Sequence, residues 1–293
     1  MKKIFITGAS GKLGSYLYPI LKKEFKILGT SNKKKISNFK KIDLLDNSNL
    51  RKQLNKFNPD IIIHLAALTN VDLCEKDFDL AYKTNILATN NVVNWCLETN
   101  SSVKFIYISS DQVYNSKTLN SEESKIDPLN LYALSKIISE ELVCQLTNAI
   151  ILRTNFFGKS MIKKQSFSDW AIKSFRRKKS FFLVDDVFFS PLRMKTISEI
   201  ISKILKKKYL KNYGIYNLGS KDGISKKSLA LKFASILSVK NKLFETKKIN
   251  EICDIKRSKN MKMNVLKFEK TFSIALPKVQ KEIKNEIINY EKN

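Results

Sequence analysis

Near-continuous apolar runs separated by amphipathic stretches dominate the first half of the chain. Ile4-Phe5-Ile6, Ile27-Leu28, Ile61-Ile62-Ile63, Phe105-Ile106-Tyr107-Ile108 and Ile150-Ile151-Leu152 show little polar alternation, the pattern of strands covered on both faces. Between them, the stretches Leu17 to Phe25, Ser48 to Phe57, Asp77 to Thr99 and Pro128 to Leu146 read as helices, the third carrying Leu80, Leu87, Val92 and Trp95 at helical spacing. A short third strand is expected over Ile42-Asp43-Leu44. Regular alternation of strand and helix predicts an α/β architecture, a doubly wound parallel sheet with right-handed crossovers.

Beyond Gly158 the pattern changes. Helices are expected over Gln165 to Lys179, Thr196 to Lys208 and Ser225 to Leu237, a strand over Phe181 to Val184, and a turn-rich connection from Asp185 to Pro191. A strand at Gly214 to Leu218 is expected to rejoin the first sheet. This divides the chain into residues 1–158, with 190–220 returning to them, and a smaller C-terminal α/β lobe built mainly from 159–293. No run reaches the eighteen or more apolar residues of a membrane-crossing helix, and Gly8 and Gly11 interrupt the apolar start too early for a signal segment.

Three stretches carry chemistry. Strand Lys3 to Thr7 runs into Gly8-Ala9-Ser10-Gly11-Lys12-Leu13-Gly14 and then a helix. In that order Gly8 permits a tight turn, Gly11 lets the backbone approach a pyrophosphate, and Gly14 allows helix and strand to pack closely, with the phosphates at the helix N-terminus. The strand through Tyr107 ends in Ser109 and Ser110, at the carboxyl edge where open parallel sheets bind ligands. Tyr132 and Lys136 stand at i and i+4 in Leu131-Tyr132-Ala133-Leu134-Ser135-Lys136, on one helix face. A neighbouring ammonium is expected to favour the phenolate and lower the Tyr132 pKa from its usual value of about 10.

Composition narrows the alternatives. The 54 Lys+Arg against 27 Asp+Glu give a formal net charge of +27, but only six of these cations are Arg. Scarce Arg points to lysines spread over solvated faces and a small anionic ligand rather than to specific nucleic-acid binding. Cys74, Cys96, Cys144 and Cys253 are widely spaced, so no zinc or disulfide framework is expected, and a reducing cytoplasm is the natural compartment. His64, the one histidine, lies in an apolar run and is expected to be packed; a His-rich metal site is excluded. After the second strand, Thr30-Ser31-Asn32-Lys33-Lys34-Lys35 offers lysines and no carboxylate, which favours NADP(H) over NAD(H).

Thr7-Gly8-Ala9-Ser10-Gly11-Lys12-Leu13-Gly14 together with Ser110, Tyr132 and Lys136 resembles the extended short-chain dehydrogenase/reductase superfamily. Ile62 to Asp72, Tyr82-Lys83-Thr84-Asn85, Leu152 to Gly158 and Gly214 to Gly219 resemble its dTDP-4-dehydrorhamnose reductase branch, over nearly the whole chain. The resemblance implies a Rossmann-type fold whose smaller lobe takes a nucleotide-diphosphate sugar, and a catalytic set of Ser110, Tyr132 and Lys136. It implies a cofactor site drawn from Gly8, Ser10, Gly11, Lys12, Leu13, Gly14, Ser31, Lys33, Asp43, Leu44, Ala66, Ala67, Thr69, Asn85, Tyr132 and Lys136, with Asp43 and Leu44 beside the adenine and Asn85 supporting Lys136. Thr69, Asp111, Asn155 and Arg257 are the expected sugar-nucleotide contacts, with Lys163, Lys164, Arg176 and Arg177 as further diphosphate candidates and solvated faces favoured for the last two. Ser258 stands where relatives carry Pro after the Arg, and Phe156 and Phe157 stand where they carry Trp.

The expected activity is therefore NADPH-dependent reduction of a 4-keto-6-deoxy nucleotide sugar in surface polysaccharide precursor synthesis, by a cytoplasmic enzyme with no metal and no membrane partner, its oligomeric state left open with a homodimer as one option. Dehydration is disfavoured because Gln112 replaces the Glu that dehydratases carry after Asp111. Epimerisation and a non-catalytic NADP-binding regulatory role, as in the β subunit of methionine adenosyltransferase, are the alternatives; nucleic-acid binding driven by the +27 charge is a third.

Overall fold

The computed structural model describes residues 1–32, 38–99, 102–177, 179–206, 209–238 and 243–291. Seven strands form one sheet: β1 Lys3–Thr7, β2 Lys26–Ser31, β3 Lys40–Lys41, β4 Ile61–His64, β5 Lys104–Ser110, β6 Ala149–Thr154 and β7 Gly214–Leu218. Their order is β3-β2-β1-β4-β5-β6-β7, and every pairing is parallel. The order reverses between β1 and β4, so the crevice above their carboxyl ends is the place where such sheets bind ligands.

Alternate residues of the apolar strands serve opposite faces of the sheet. Ile4, Ile6, Ile61, Ile63 and Ile106 pack with Leu17 and Leu21 of helix Lys12–Leu21 and Ile197 and Ile201 of helix Met194–Ile204. Phe5, Ile62, Phe105 and Tyr107 pack on the other face with Leu50, Leu54, Val92, Trp95 and Val143. Strand β7 pairs with β6 from Gly214↔Ile150 to Leu218↔Thr154 and closes the sheet edge. Helix Leu266–Phe272 also returns to this body, setting Phe268 and Phe272 against Tyr216.

Three local expectations are corrected. The third strand is Lys40–Lys41, not Ile42 to Leu44. Ile42 still donates its N–H to the Ser31 carbonyl, but the chain must then turn so that Asp46 can cap helix Asn47–Phe57 by accepting from the Asn49 N–H. The helix expected over Asp77 to Thr99 breaks into Phe78–Ala81, a π-helical turn Tyr82–Leu87, and Ala88–Thr99, and a separate short helix, Val71–Lys76, precedes it. The Asn85 carbonyl accepts hydroxyl bonds from Thr89 at 2.5 Å and Ser139 at 2.9 Å, which compete with the regular helical partner at that point. The catalytic helix is shorter than expected, Leu131–Cys144, because the Asn130 side chain caps it by accepting from the Ala133 N–H.

The smaller lobe is held by aromatic contacts. Phe157 and Tyr290 pack edge-on against Phe233, and Phe181 packs edge-on against Phe175 and Trp170. Its strands are short: Phe181–Val184 pairs with Phe244–Lys247, and Phe188–Phe189, inside the expected turn-rich connection, pairs with Ile224–Ser225 and Asn260–Met261. Helices Phe167–Arg176 and Lys226–Ile236 begin at serine caps, Ser166 and Ser225, later and shorter than the sequence suggested.

Candidate active site

The glycine turn is built as its residue types require. Gly8 adopts φ +63, and a side chain there would meet the Ala66 backbone nitrogen at 2.7 Å. A Cβ on Gly14 would meet the Ala9 carbonyl oxygen at 2.4 Å, so only glycine lets the helix start this close to the turn. Helix Lys12–Leu21 begins at Gly11 with no side chain capping it, which leaves its first N–H groups directed at the crevice. Lys12 borders the same spot; burial and the nearby Lys164 ammonium both lower its pKa, so two cations sit where free N–H groups already favour an anion.

Above this turn lies a cleft of about 340 Å³. It gathers Gly8, Gly11, Lys12, Leu13, Gly14, Ala67, Thr69, Ser110, Tyr132, Lys136 and Asn155 from the expected set. It also gathers Ser109, which the sequence had placed at the ligand-facing strand end without a role, and Leu65, Ile108, Gln112, Thr154, Phe156 and Ile162, to which the sequence had given no binding or catalytic role. Their signal was positional: all but Ile162 stand at or within two residues of the carboxyl ends of β4, β5 and β6.

The remaining expected residues lie elsewhere. Ser10 is half-buried on the turn without lining the cleft, and Ala66 backs Gly8 while donating its N–H to the Thr7 hydroxyl. Ser31 is buried at the end of β2; Asp43 is exposed and accepts from the Leu45 N–H; Leu44 is buried, with its carbonyl bonded by Asn91. Lys33 lies outside the described residues. Asn85 is buried at the π-turn, where its carboxamide holds both backbone groups of Leu68 and donates to Ser135 Oγ, so its bonds go to Leu68 and Ser135 rather than to Lys136 as expected. Asp111 is fully buried beneath Ser110, with the Asn155 amide donating to both carboxylate oxygens at 3.0 and 2.9 Å. Burial pushes its carboxyl up to about 7, against the opposing pull of Asn155 and Lys226. Lys163, Arg176 and Arg177 are exposed away from the cleft.

The relation between Tyr132 and Lys136 differs from the expectation. Burial pushes the Tyr132 phenol up to about 12; the hydroxyl that favours its ionised form is Ser110, and Asp111 opposes. The Lys136 ammonium instead donates to Tyr107 Oη at 2.5 Å and the Ile108 carbonyl at 2.8 Å. Desolvation lowers Lys136 to about 7, resisted by Glu140 one turn further along the helix. Glu140 is itself engaged by Arg153 at 2.6 Å and by Ser109, a buried pair tying the catalytic helix to β5 and β6. His64 is packed as expected, bonded to Thr7 and Thr89, and burial drops it to about 3, so it stays neutral.

A second, larger cavity has its own lining. Ile255, which lines it, packs on the cluster of Val71, Cys74, Ala81 and Tyr132, and Asp111 lies within electrostatic reach of Lys226, which also lines it. Its walls are aromatic, with Phe167, Trp170, Phe181 and Phe182, and its charged groups are Asp72, Lys76, Lys226, Asp254 and Arg257. Arg257 pairs with Asp72 at 2.5 Å but leaves its buried Nε without a partner, and burial together with Arg257 lowers the Lys226 pKa. Two crowded cations and an unpaired N–H are suited to a multiply charged anion. Among the described residues, no group of three or more His, Cys, Asp or Glu could hold a metal, and no helix is long and apolar enough to cross a membrane.

Comparison with known proteins agrees with this geometry. The family model described as "RmlD substrate binding domain" matches residues 1–292. The spore coat polysaccharide biosynthesis protein SpsK of Bacillus subtilis is 30% identical over 210 residues, 70% of each chain. The dTDP-4-dehydrorhamnose reductase of Aggregatibacter actinomycetemcomitans is 24% identical over 97% of this chain and 98% of its own. Among solved structures, the dTDP-4-dehydrorhamnose reductase of Bacillus anthracis in complex with NADP superimposes with a TM-score of 0.88 at 26% identity, covering 99% of this chain and 100% of that one.

Proposed function

The chain belongs to the RmlD substrate-binding-domain family, and from that premise we propose that it is an NADPH-dependent reductase of a 4-keto-6-deoxy nucleotide sugar, acting in polysaccharide precursor synthesis. The observation that carries this reading is the convergence of Ser110, Tyr132 and Lys136 at the cleft over the glycine turn, with a second cavity whose Lys226 lies within electrostatic reach of Asp111. The residues present fit a dinucleotide: the crowded Gly8 and Gly14 and the uncapped helix start leave backbone N–H groups for a pyrophosphate, with Lys12 and Lys164 beside them. Bound NADPH would supply the hydride.

Each protein group then has one task. Tyr132 passes its phenolic proton to the oxygen of the carbonyl being reduced, so the C=O becomes a CH–OH with charge balanced. A phenol held near 12 by burial is protonated at neutral pH, as a donor must be. Ser110 stands beside the phenol and bonds the same oxygen, positioning it for proton transfer. Lys136 holds the ribose of the dinucleotide, Asn155 and Thr69 border the sugar, and Arg257 and Lys226 take the diphosphate. Gln112 lines the cleft with no carboxylate to serve the dehydration step.

The test is NADPH absorbance in the presence of dTDP-4-dehydro-6-deoxy sugars. We expect oxidation that depends on the keto sugar. Tight NADPH binding with no oxidation across a broad keto-sugar panel would end this reading.

A further inference from the structure

We propose that Tyr107 is a positioning residue for this reaction, holding the Lys136 ammonium by its hydroxyl. The kinetic part of this inference rests on the reductase reading; the structural part does not. Lys136 is buried, at 2% exposure, and a buried ammonium needs partners that accept its protons. The Tyr107 hydroxyl accepts from Nζ at 2.5 Å, with Nζ 4.1 Å from the ring centroid, beyond the oxygen rather than over the ring face. The Ile108 carbonyl accepts from the same Nζ at 2.8 Å.

The surroundings leave this work to Tyr107. On the helix of Lys136 itself, Tyr132 is held neutral by burial, and Glu140 is bonded by Arg153 of β6 through Nε at 3.1 Å and Nη2 at 2.6 Å, so its charge is shared with a fixed cation. From β4, His64 stacks on Tyr107 with ring centroids 5.8 Å apart and is neutral, so it neither repels nor pairs with the ammonium. Burial pushes the Tyr107 phenol far up, which keeps it a neutral acceptor, and the Ser139 and Thr89 hydroxyls flank it. Tyr107 is in turn fixed in the core between His64 of β4 and Ile151 of β6 by strand register. Because desolvation already brings Lys136 to about 7, losing one acceptor shifts the balance between ammonium and amine in the working pH range.

The experiment follows Lys136 directly. The protein is labelled with ¹³C and ¹⁵N at lysine ε positions, and the resonance missing from Lys136→Met is assigned to Lys136. It is expected to titrate near 7 in the unaltered protein. In Tyr107→Phe, which keeps the ring and loses the hydroxyl, the midpoint falls by about one pH unit. In Tyr107→Leu, which also lacks the hydroxyl, it falls likewise. In the reductase assay the alkaline limb of kcat moves to lower pH by the same amount, a change that a merely structural role would not produce.

A midpoint unmoved in both variants overturns the proposal. So does the absence, in the unaltered protein, of nuclear Overhauser contacts between the Lys136 ε-methylene and the Tyr107 ring, a measurement independent of how the variants fold. A shifted midpoint in a protein that reduces no keto sugar supports the role of Tyr107 and removes the reductase reading instead.

Discussion

The two cavities are made of different materials. The cleft over the glycine turn is largely backbone: a glycine turn, an uncapped helix start and the carboxyl ends of parallel strands. The second cavity is made of side chains from segments far apart in sequence, Asp72, Trp170, Lys226 and Arg257 among them. Backbone sites demand a few residues at fixed local spacing, whereas side-chain sites demand only that distant residues end up close. The first kind therefore constrains the sequence tightly, and the second leaves room for change of ligand.

The sharpest test lies at Tyr132. Tyr132→Phe removes the proposed proton donor and keeps the ring in its buried cluster, so kcat should fall by roughly 10²–10⁴-fold while NADPH affinity, measured by fluorescence titration, stays the same. Asp111, buried and next to Ser110 in sequence, should appear in stability. Its folded-state pKa of about 7 lies above the unfolded value, so the folded protein holds a proton that the unfolded chain has released. Stability is fully present below about 4 and is lost as pH rises toward about 7. The loss should reach at most a few kcal/mol in urea unfolding, and Asp111→Asn should flatten it.

Two smaller changes should separate the cavities. Gly14→Ala places a Cβ against the Ala9 carbonyl, which cannot move aside as a flexible side chain would; it should cost roughly 1–3 kcal/mol in thermal unfolding and weaken NADPH binding. Lys226→Ala should do the reverse, raising KM for the sugar nucleotide by about 10–100-fold with NADPH affinity unchanged, as expected for one charge-assisted contact. If each variant weakened both ligands equally, the division between a backbone-built and a side-chain-built site would fail.

The same division explains what could be read in the sequence. The glycine turn, Ser110 at a strand end, and Tyr132 with Lys136 one helical turn apart are local patterns, and all of them line the cleft. The alternating faces of β1, β4 and β5 likewise announce a sheet covered on both sides. Lys226 was not legible, because in a chain this rich in lysine nothing local marks the half-buried one within electrostatic reach of Arg257. Tyr107 was hidden in an apolar run, where its spacing says only that it faces the core. Asn85 was noticed as a polar residue in a helix, but its partners, Leu68 and Ser135, depend on a π-turn that propensity does not foretell. The expected lowering of Tyr132 by Lys136 failed because helical spacing fixes where two side chains start, while Tyr107 fixes where the ammonium ends.

The most direct measurement of the central claim is the fate of a deuterium label. NADPH carrying deuterium at the transferred position is incubated with the protein and a 4-keto-6-deoxy nucleotide sugar, and the sugar product is analysed by mass spectrometry and NMR. A reductase places one deuterium on the new carbinol carbon for each NADPH oxidised. Sugar that isomerises without taking up label, or NADPH that stays bound and unoxidised, contradicts the account.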